Sequence, residues 1–102
     1  MKTKNRYIVY KFTNTSNNKV YYGSTNHPIG RFYEHILSKE DDDFHRDLRN
    51  DITNFTYEEL CEYSNRKEAY YYEYRYIVEA WKHNEPLYNK TTLIERFKSN
   101  NK

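Results

Sequence analysis

The chain lacks most of the devices by which small domains are stapled together. Among 102 residues there is one cysteine, Cys61, so no intramolecular disulfide can form and a cysteine-built zinc site is excluded. A single Cys fits a reducing compartment, and the expected location is cytoplasmic. No apolar run approaches the roughly 20 residues that a membrane span needs. No basic-then-apolar leader opens the chain. A soluble, unprocessed protein is therefore expected. A dominant charge is also missing: 17 Lys+Arg face 15 Asp+Glu, a formal net charge of +2. That balance permits contact with nucleic acid without arguing for it. Proline and glycine number two each, and three of the four read as punctuation. Gly23 marks a close backbone approach or a bulge, Pro28 sits just inside a helix start, and Pro86 closes a helix.

Tyrosine is what the chain has in excess, thirteen in all. With few Leu, Val and Met, the core must be built partly from Tyr, whose hydroxyls then need partners. Any one Tyr is structural by default, so position and not residue type has to select those with chemistry.

The length allows one domain with one modest core. It is expected to span 1–102, with the core about 6–92 and a polar, basic tail over 94–102. Residues 1–5 are polar and expected to be loose. Arg6 to Thr13 reads as a strand, with Tyr7, Val9 and Lys11 on one face and Ile8, Tyr10 and Phe12 on the other. Asn14 to Asn18 is a turn, and Lys19 to Ser24 the return strand. A helix should start around Thr25 to Pro28, with Ile29, Phe32 and Ile36 facing the core and Arg31 and His35 at the edge of that stripe. Asp43 is a candidate cap for a short helix over Phe44 to Asn50, with Phe44 and Leu48 as its inward pair. Asn54 to Tyr63 alternates as a third strand. Ser64-Asn65 then caps the longest helix, about Arg66 to His83, which Asn84-Glu85-Pro86 ends. Leu87-Tyr88-Asn89 is an extended return to the core.

Glu73 is the sharpest single feature. It falls among Ala69, Tyr76, Ile77 and Ala80, on the apolar face of the long helix. A carboxylate there is costly unless it is paired or holds a cation. It is either a structural partner for a nearby base or Tyr, or an oxygen ligand for Mg²⁺. Arg31 and His35 lie four apart and share a helix face, as a solvated pair or as a phosphate clamp with a proton carrier. Tyr10 and Tyr21, on paired strands, are packing residues by default. A phenol, with an ordinary pKa near 10, is a poor base unless cations lower it. His27 and His45 read as surface residues, the Asp41 to Asp43 run as an exposed acidic loop, and the Tyr70 to Tyr74 cluster as helix packing or as stacking platforms for bases.

These scattered residues fall into one pattern. The chain resembles the GIY-YIG nuclease family, and most closely the catalytic domains of phage-type homing endonucleases. Ile8-Val9-Tyr10 corresponds to the first motif and Tyr21-Tyr22-Gly23 to the second, with the Asn- and Lys-rich hairpin from Lys11 to Val20 between them. The family's Arg and His fall on Arg31 and His35, its metal-binding Glu on Glu73 ahead of Tyr76-Ile77, and its late Asn on Asn89 after Tyr88. Two positions depart: Ile8 stands for the first Gly and Tyr22 for the central Ile. The resemblance implies an α+β fold, a small three-stranded antiparallel sheet flanked by helices. It implies hydrolysis of DNA phosphodiester bonds, with double-stranded DNA as the expected substrate and one Mg²⁺ or Mn²⁺ on Glu73. In that scheme Tyr10 is the general base, Tyr21 positions water or phosphate, His35 assists proton traffic, Arg31 stabilises the transition state and Asn89 holds the site in shape. No zinc finger or helix-turn-helix signature is present. Targeting is then expected from the domain itself, a homodimer or a separate partner. A non-cleaving nucleic-acid-binding module and a protein-interaction domain are the competing readings. The Asn-, Lys-, Tyr- and Ile-rich composition points to an A·T-rich genome, and a virus-infected host cell is one setting that fits.

Overall fold

The computed structural model describes residues 6–90. The expectations for residues 1–5 and for the tail over 94–102 lie outside them. The elements run β1 (Tyr7–Asn14), β2 (Val20–Thr25), α1 (Pro28–Leu37), α2 (Asp43–Asn50), a 3₁₀ turn (Ile52–Asn54), β3 (Phe55–Tyr63) and α3 (Arg66–Lys82). The strands form one antiparallel sheet in the order β2-β1-β3, the α+β arrangement read from the sequence.

Strand alternation divides the sheet between two sets of helices. On one face Tyr10 and Phe12 bury themselves against Phe44 and Leu48 of α2, with Phe32 and Ile36 of α1 completing the cluster. On the other, Val20 and Tyr22 pack on Ile77 and Ala80 of α3. The first of these cores is largely aromatic. Phe12 stacks on Phe32 at 5.7 Å, and Tyr21 lies flat on Phe44 at 4.2 Å and 4°.

Local chemistry sets the ends of the elements. Asn14 closes the first hairpin by accepting at Oδ1 from the Ser16 backbone N–H at 2.9 Å, and Asn18 takes the left-handed conformation with φ 63°. Asp42, one residue before the expected cap, begins α2 by accepting from the His45 N–H. Asn65 caps α3, accepting from the Glu68 N–H at 2.8 Å while its amide reaches back to the Glu68 carboxylate, a reciprocal cap. The far end of α3 is a Schellman motif: Asn84 at φ 58° lets Glu85 N–H reach the Ala80 carbonyl at 2.9 Å and Asn84 N–H reach that of Trp81 at 3.1 Å.

Beyond that turn the chain returns along β2. Val20 N–H donates to the Pro86 carbonyl and Tyr88 N–H to the Val20 carbonyl, a short parallel bridge at Leu87. The extended segment expected at Leu87 to Asn89 thus clamps the outer edge of the sheet.

Helix α1 differs from its expected orientation. Ile29 is 77 % exposed, whereas His35, expected at the edge, is 1 % exposed. At 100° per residue the inward arc is centred on Pro28, Phe32, His35 and Ile36, which puts Ile29 on its outer flank. His45, expected at the surface, is 6 % exposed and also belongs to the interior.

Candidate active site

Two features of the sheet aim Tyr10. In β1–β2 pairing it stands opposite Gly23, and its ring lies across that residue. A Cβ at Gly23 would fall 2.9 Å from Tyr10 Cε1 and closer still to Cζ and the hydroxyl, so only glycine leaves room. This is the close backbone approach read from the sequence. On its other side the β1–β3 register shifts between Val9 and Tyr10, where β3 carries Leu60 as an extra residue. A bulge beside a buried polar side chain re-aims it.

The Tyr10 hydroxyl meets His35 Nε2 at 2.7 Å. Arg31, one turn before His35 on α1, approaches the same phenol oxygen while Nη1 donates to Glu34 at 3.0 Å. The three residues spaced along the strand and helix motifs therefore converge. Tyr21 joins them from β2, edge-on to the His35 ring at 5.4 Å.

Glu73 arrives from α3, on the opposite face, and docks on Ser24, the residue of β2 that follows Gly23. Its Oε1 accepts from Ser24 Oγ at 2.7 Å. Among the described residues no ion pair holds it, and burial raises its carboxyl pKa while the Ser24 hydrogen bond opposes that rise. A half-buried carboxylate with a hydroxyl but no base beside it suits a divalent cation, whose hard oxygen-ligand preference it matches. Ser24 and Arg31 both line one cleft of about 310 Å³, together with His27, Arg66 and Tyr70.

The electrostatics follow from burial. Tyr10, 2 % exposed, has its pKa driven well above the ordinary phenol value by desolvation and by the neighbouring Tyr21, with Arg31 pulling the other way. Tyr21 is raised as well, again chiefly by burial. His35 is lowered to about 3 by burial and by the positive charge of Arg31. Both phenols feel the Glu73 carboxylate. Tyr10 and His35 are thus a neutral phenol against a neutral imidazole.

Among the described residues, Asn89 hydrogen-bonds to none of these side chains. Its amide spans the edge of β2, Oδ1 accepting from Tyr22 N–H and Nδ2 donating to the Tyr22 carbonyl, both at 2.8 Å. Tyr88 beside it accepts from Asn14 Nδ2 at 2.9 Å and donates to Asp47 at 2.7 Å. Together they lock the strand that carries Tyr21 and Gly23.

Sequence reasoning passed over His45. Its Nε2 meets His35 Nδ1 at 2.9 Å, and its Nδ1 meets Asp42 Oδ1 at 2.6 Å. The acidic run expected to be a solvated loop thus supplies a partner to a buried ring. Only its Asp-x-x-His spacing at a helix cap hinted at this. Glu40, Asp42 and His45 bring three ligand-type atoms within 4.8 Å of one another, but the Asp42 and His45 atoms are already engaged with each other.

No helix among the described residues is long and apolar enough to cross a membrane. Comparison with curated proteins and with solved structures finds no match. A family model described as the GIY-YIG catalytic domain matches residues 6–89. That span runs from the foot of β1 to the amide that clamps β2, and it takes in Tyr10, Arg31, His35 and Glu73. By that match, and by a sheet and helix order that agree with it, the chain belongs to the GIY-YIG nuclease family.

Proposed function

We propose that this domain hydrolyses DNA phosphodiester bonds with the help of one divalent cation, Mg²⁺ or Mn²⁺, held by Glu73. The observation that carries the reading is that two adjacent residues of β2 hold the two halves of the site: the Tyr10 ring, bonded to His35 and with Arg31 beside it, lies across Gly23, and Ser24 holds the Glu73 carboxylate. When bound, the cation supplies Lewis-acid polarisation of the phosphate and neutralises charge on the departing oxygen.

The remaining work falls to the chain. Arg31 lies partly exposed at the cleft, and its guanidinium suits two phosphate oxygens and the charge of a pentacovalent transition state. Moving from the phenol onto a phosphate, it uncovers the Tyr10 oxygen. Tyr10 then accepts a proton from the attacking water as it gives its own to His35 Nε2. A neutral phenol can do this only by exchange, because its raised pKa leaves little phenolate near neutral pH. Tyr21, half-buried and next to the pair, orients the water or the phosphate. Asn89 keeps β2 in register. Cleavage that releases the 3′ oxygen leaves 5′-phosphate and 3′-hydroxyl ends, one strand at a time.

The test is the conversion of supercoiled plasmid to nicked circles with and without Mg²⁺. Nicking should need the metal and fall at least about 100-fold in Glu73→Gln, in line with the loss of one preorganised electrostatic group. The substitution keeps an acceptor for Ser24 and removes a desolvated acid, so the thermal midpoint should hold or rise slightly. A gel shift without nicking would replace this reading by that of a binding module.

A further inference from the structure

A proton handed to His35 cannot stay there. The ring is almost wholly buried, and the Arg31 charge beside it opposes a second positive charge. The structure offers a way out. Tyr10 Oη, His35 Nε2 and Nδ1, His45 Nε2 and Nδ1, and Asp42 Oδ1 follow one another with gaps of 2.7, 2.9 and 2.6 Å. The Asp42 end opens on a second cleft of about 550 Å³, lined by Tyr21, Glu40, His45 and Tyr88, which shares no lining residue with the cleft at Arg31.

We propose that His45 and Asp42 are positioning residues for the nuclease reaction, completing a proton path from the Tyr10 hydroxyl to that second cleft. The inference rests on the hydrolytic reading above.

The carboxylate sets the polarity. Asp42 stays ionised, its pKa lowered by the hydrogen bonds from the His45 ring and backbone against the opposing effect of burial. With both rings neutral, His45 carries its proton on Nδ1 toward Asp42, so its Nε2 accepts from His35 Nδ1–H. His35 Nε2 then accepts from Tyr10. Every donor faces an acceptor, and the free lone pairs of Tyr10 are left for the incoming proton.

One turn of the chemistry moves four protons by one place each. Water gives a proton to Tyr10 as its oxygen bonds to phosphorus and the bond to the 3′ oxygen breaks. The Tyr10 proton passes to His35 Nε2, the His35 Nδ1 proton to His45 Nε2, and the His45 Nδ1 proton to Asp42, which releases it to solvent. The departing 3′ oxygen takes a proton from bulk water. Once product has left, the same hops run in reverse: Tyr10 gives a proton to water at the site as Asp42 takes one from solvent, so both rings return to the Nδ1–H form and the balance is hydrolysis. No imidazolium is formed, so the reluctance of His35 to become charged is no obstacle.

The experiment joins long-range ¹⁵N NMR of the histidine rings at pH 8 to plasmid nicking. In the wild type both His35 and His45 should be protonated at Nδ1, a readout that needs no turnover. In Asp42→Asn the single side-chain oxygen is kept by the helix cap, so the amide NH₂ faces the His45 ring and both rings should flip to the Nε2–H form. Nicking kcat should fall about 100-fold at little changed KM, as expected when a base is held in the wrong tautomer. A proton inventory in H₂O/D₂O mixtures should be curved in the wild type and linear in the variant. Nε2–H rings in a wild type that nicks would overturn the path alone, as would unchanged nicking by Asp42→Asn or broadening of the His45 signals by micromolar Mn²⁺. A wild type that never nicks removes the reaction, and the path with it.

Discussion

Gly23→Ala tests how tightly the fold constrains Tyr10. The new methyl carbon would meet Cε1 at 2.9 Å and press harder on Cζ and the hydroxyl. Ordinary contact needs about 3.5 Å or more, so the ring must retreat by up to about 1 Å. It has nowhere to go: Phe12, Tyr57 and His35 lie 5.9, 5.8 and 5.8 Å away, centroid to centroid. Any retreat also stretches the 2.7 Å bond to His35. Overpacking of this kind costs about 1–3 kcal/mol. In a domain of this size that is a fall of roughly 5–20 °C in Tm. A shift of about 1 Å in a catalytic group can also cost about 100-fold in rate. Urea unfolding should show a lower midpoint at unchanged slope, and plasmid nicking should be lost beyond what the fraction folded explains. Gly30→Ala is the control. Its Cβ meets only the exposed His27 ring, at 3.0 Å from Cδ2, and alanine favours the helix, so stability should hold or rise. Adding Tyr10→Phe to Gly23→Ala removes the hydroxyl but not the ring, and should recover part of the stability and none of the activity. A Gly23→Ala protein with wild-type midpoint and wild-type nicking would refute the reasoning.

Two more outcomes follow from the geometry. Asn89→Ala strips both side-chain hydrogen bonds from the Tyr22 backbone. It should cost about 1–3 kcal/mol in chemical unfolding and lower nicking without changing its metal requirement. Stability should also depend on pH through His35, which faces Arg31 and Glu34 on its own helix, Tyr10 and Tyr21 from the sheet, and His45 and Asp42 at α2. Its folded pKa is lowered to about 3 from 6.5, so between those values the unfolded chain binds more protons. The stabilisation is complete above about pH 6.5 and is lost on acidification through that window, at up to about 1.4 kcal/mol per pH unit. Asp42, also lowered, acts in the same sense further down. Glu73, raised, acts in the opposite sense, so the comparison of urea midpoints at pH 7 and 4.5 belongs in a Glu73→Gln background. His35→Gln should flatten the difference.

The legible parts of the fold were those written in local order. Alternation placed Tyr10 and Phe12 on one face, cap chemistry placed Asn65 at the head of α3, and the 3.6-residue period placed Ala69, Ile77 and Ala80 inward with Glu73 among them. Gly23 announced a close approach without saying to what. The orientation of α1 was illegible because a buried His takes a position that hydrophobic counting gives to Ile29. Asp42 and His45 were missed for a related reason. In a two-turn helix Phe44 and Leu48 satisfy the apolar pattern, and the residue between that also faces inward does so for a ring on another helix. Contacts between polar side chains of separate elements leave no periodic trace.

The two margins of the sheet are unequal. The β2 margin is occupied by the chain's own Leu87–Asn89 segment, so no foreign strand can be seated there without first displacing it. The β3 margin has no such cover among the described residues, but it is guarded by Glu58, Glu59 and Glu62, all facing solvent. A second copy offered antiparallel would set carboxylates against carboxylates. The molecule can therefore carry an exposed ribbon and still resist stacking into fibres.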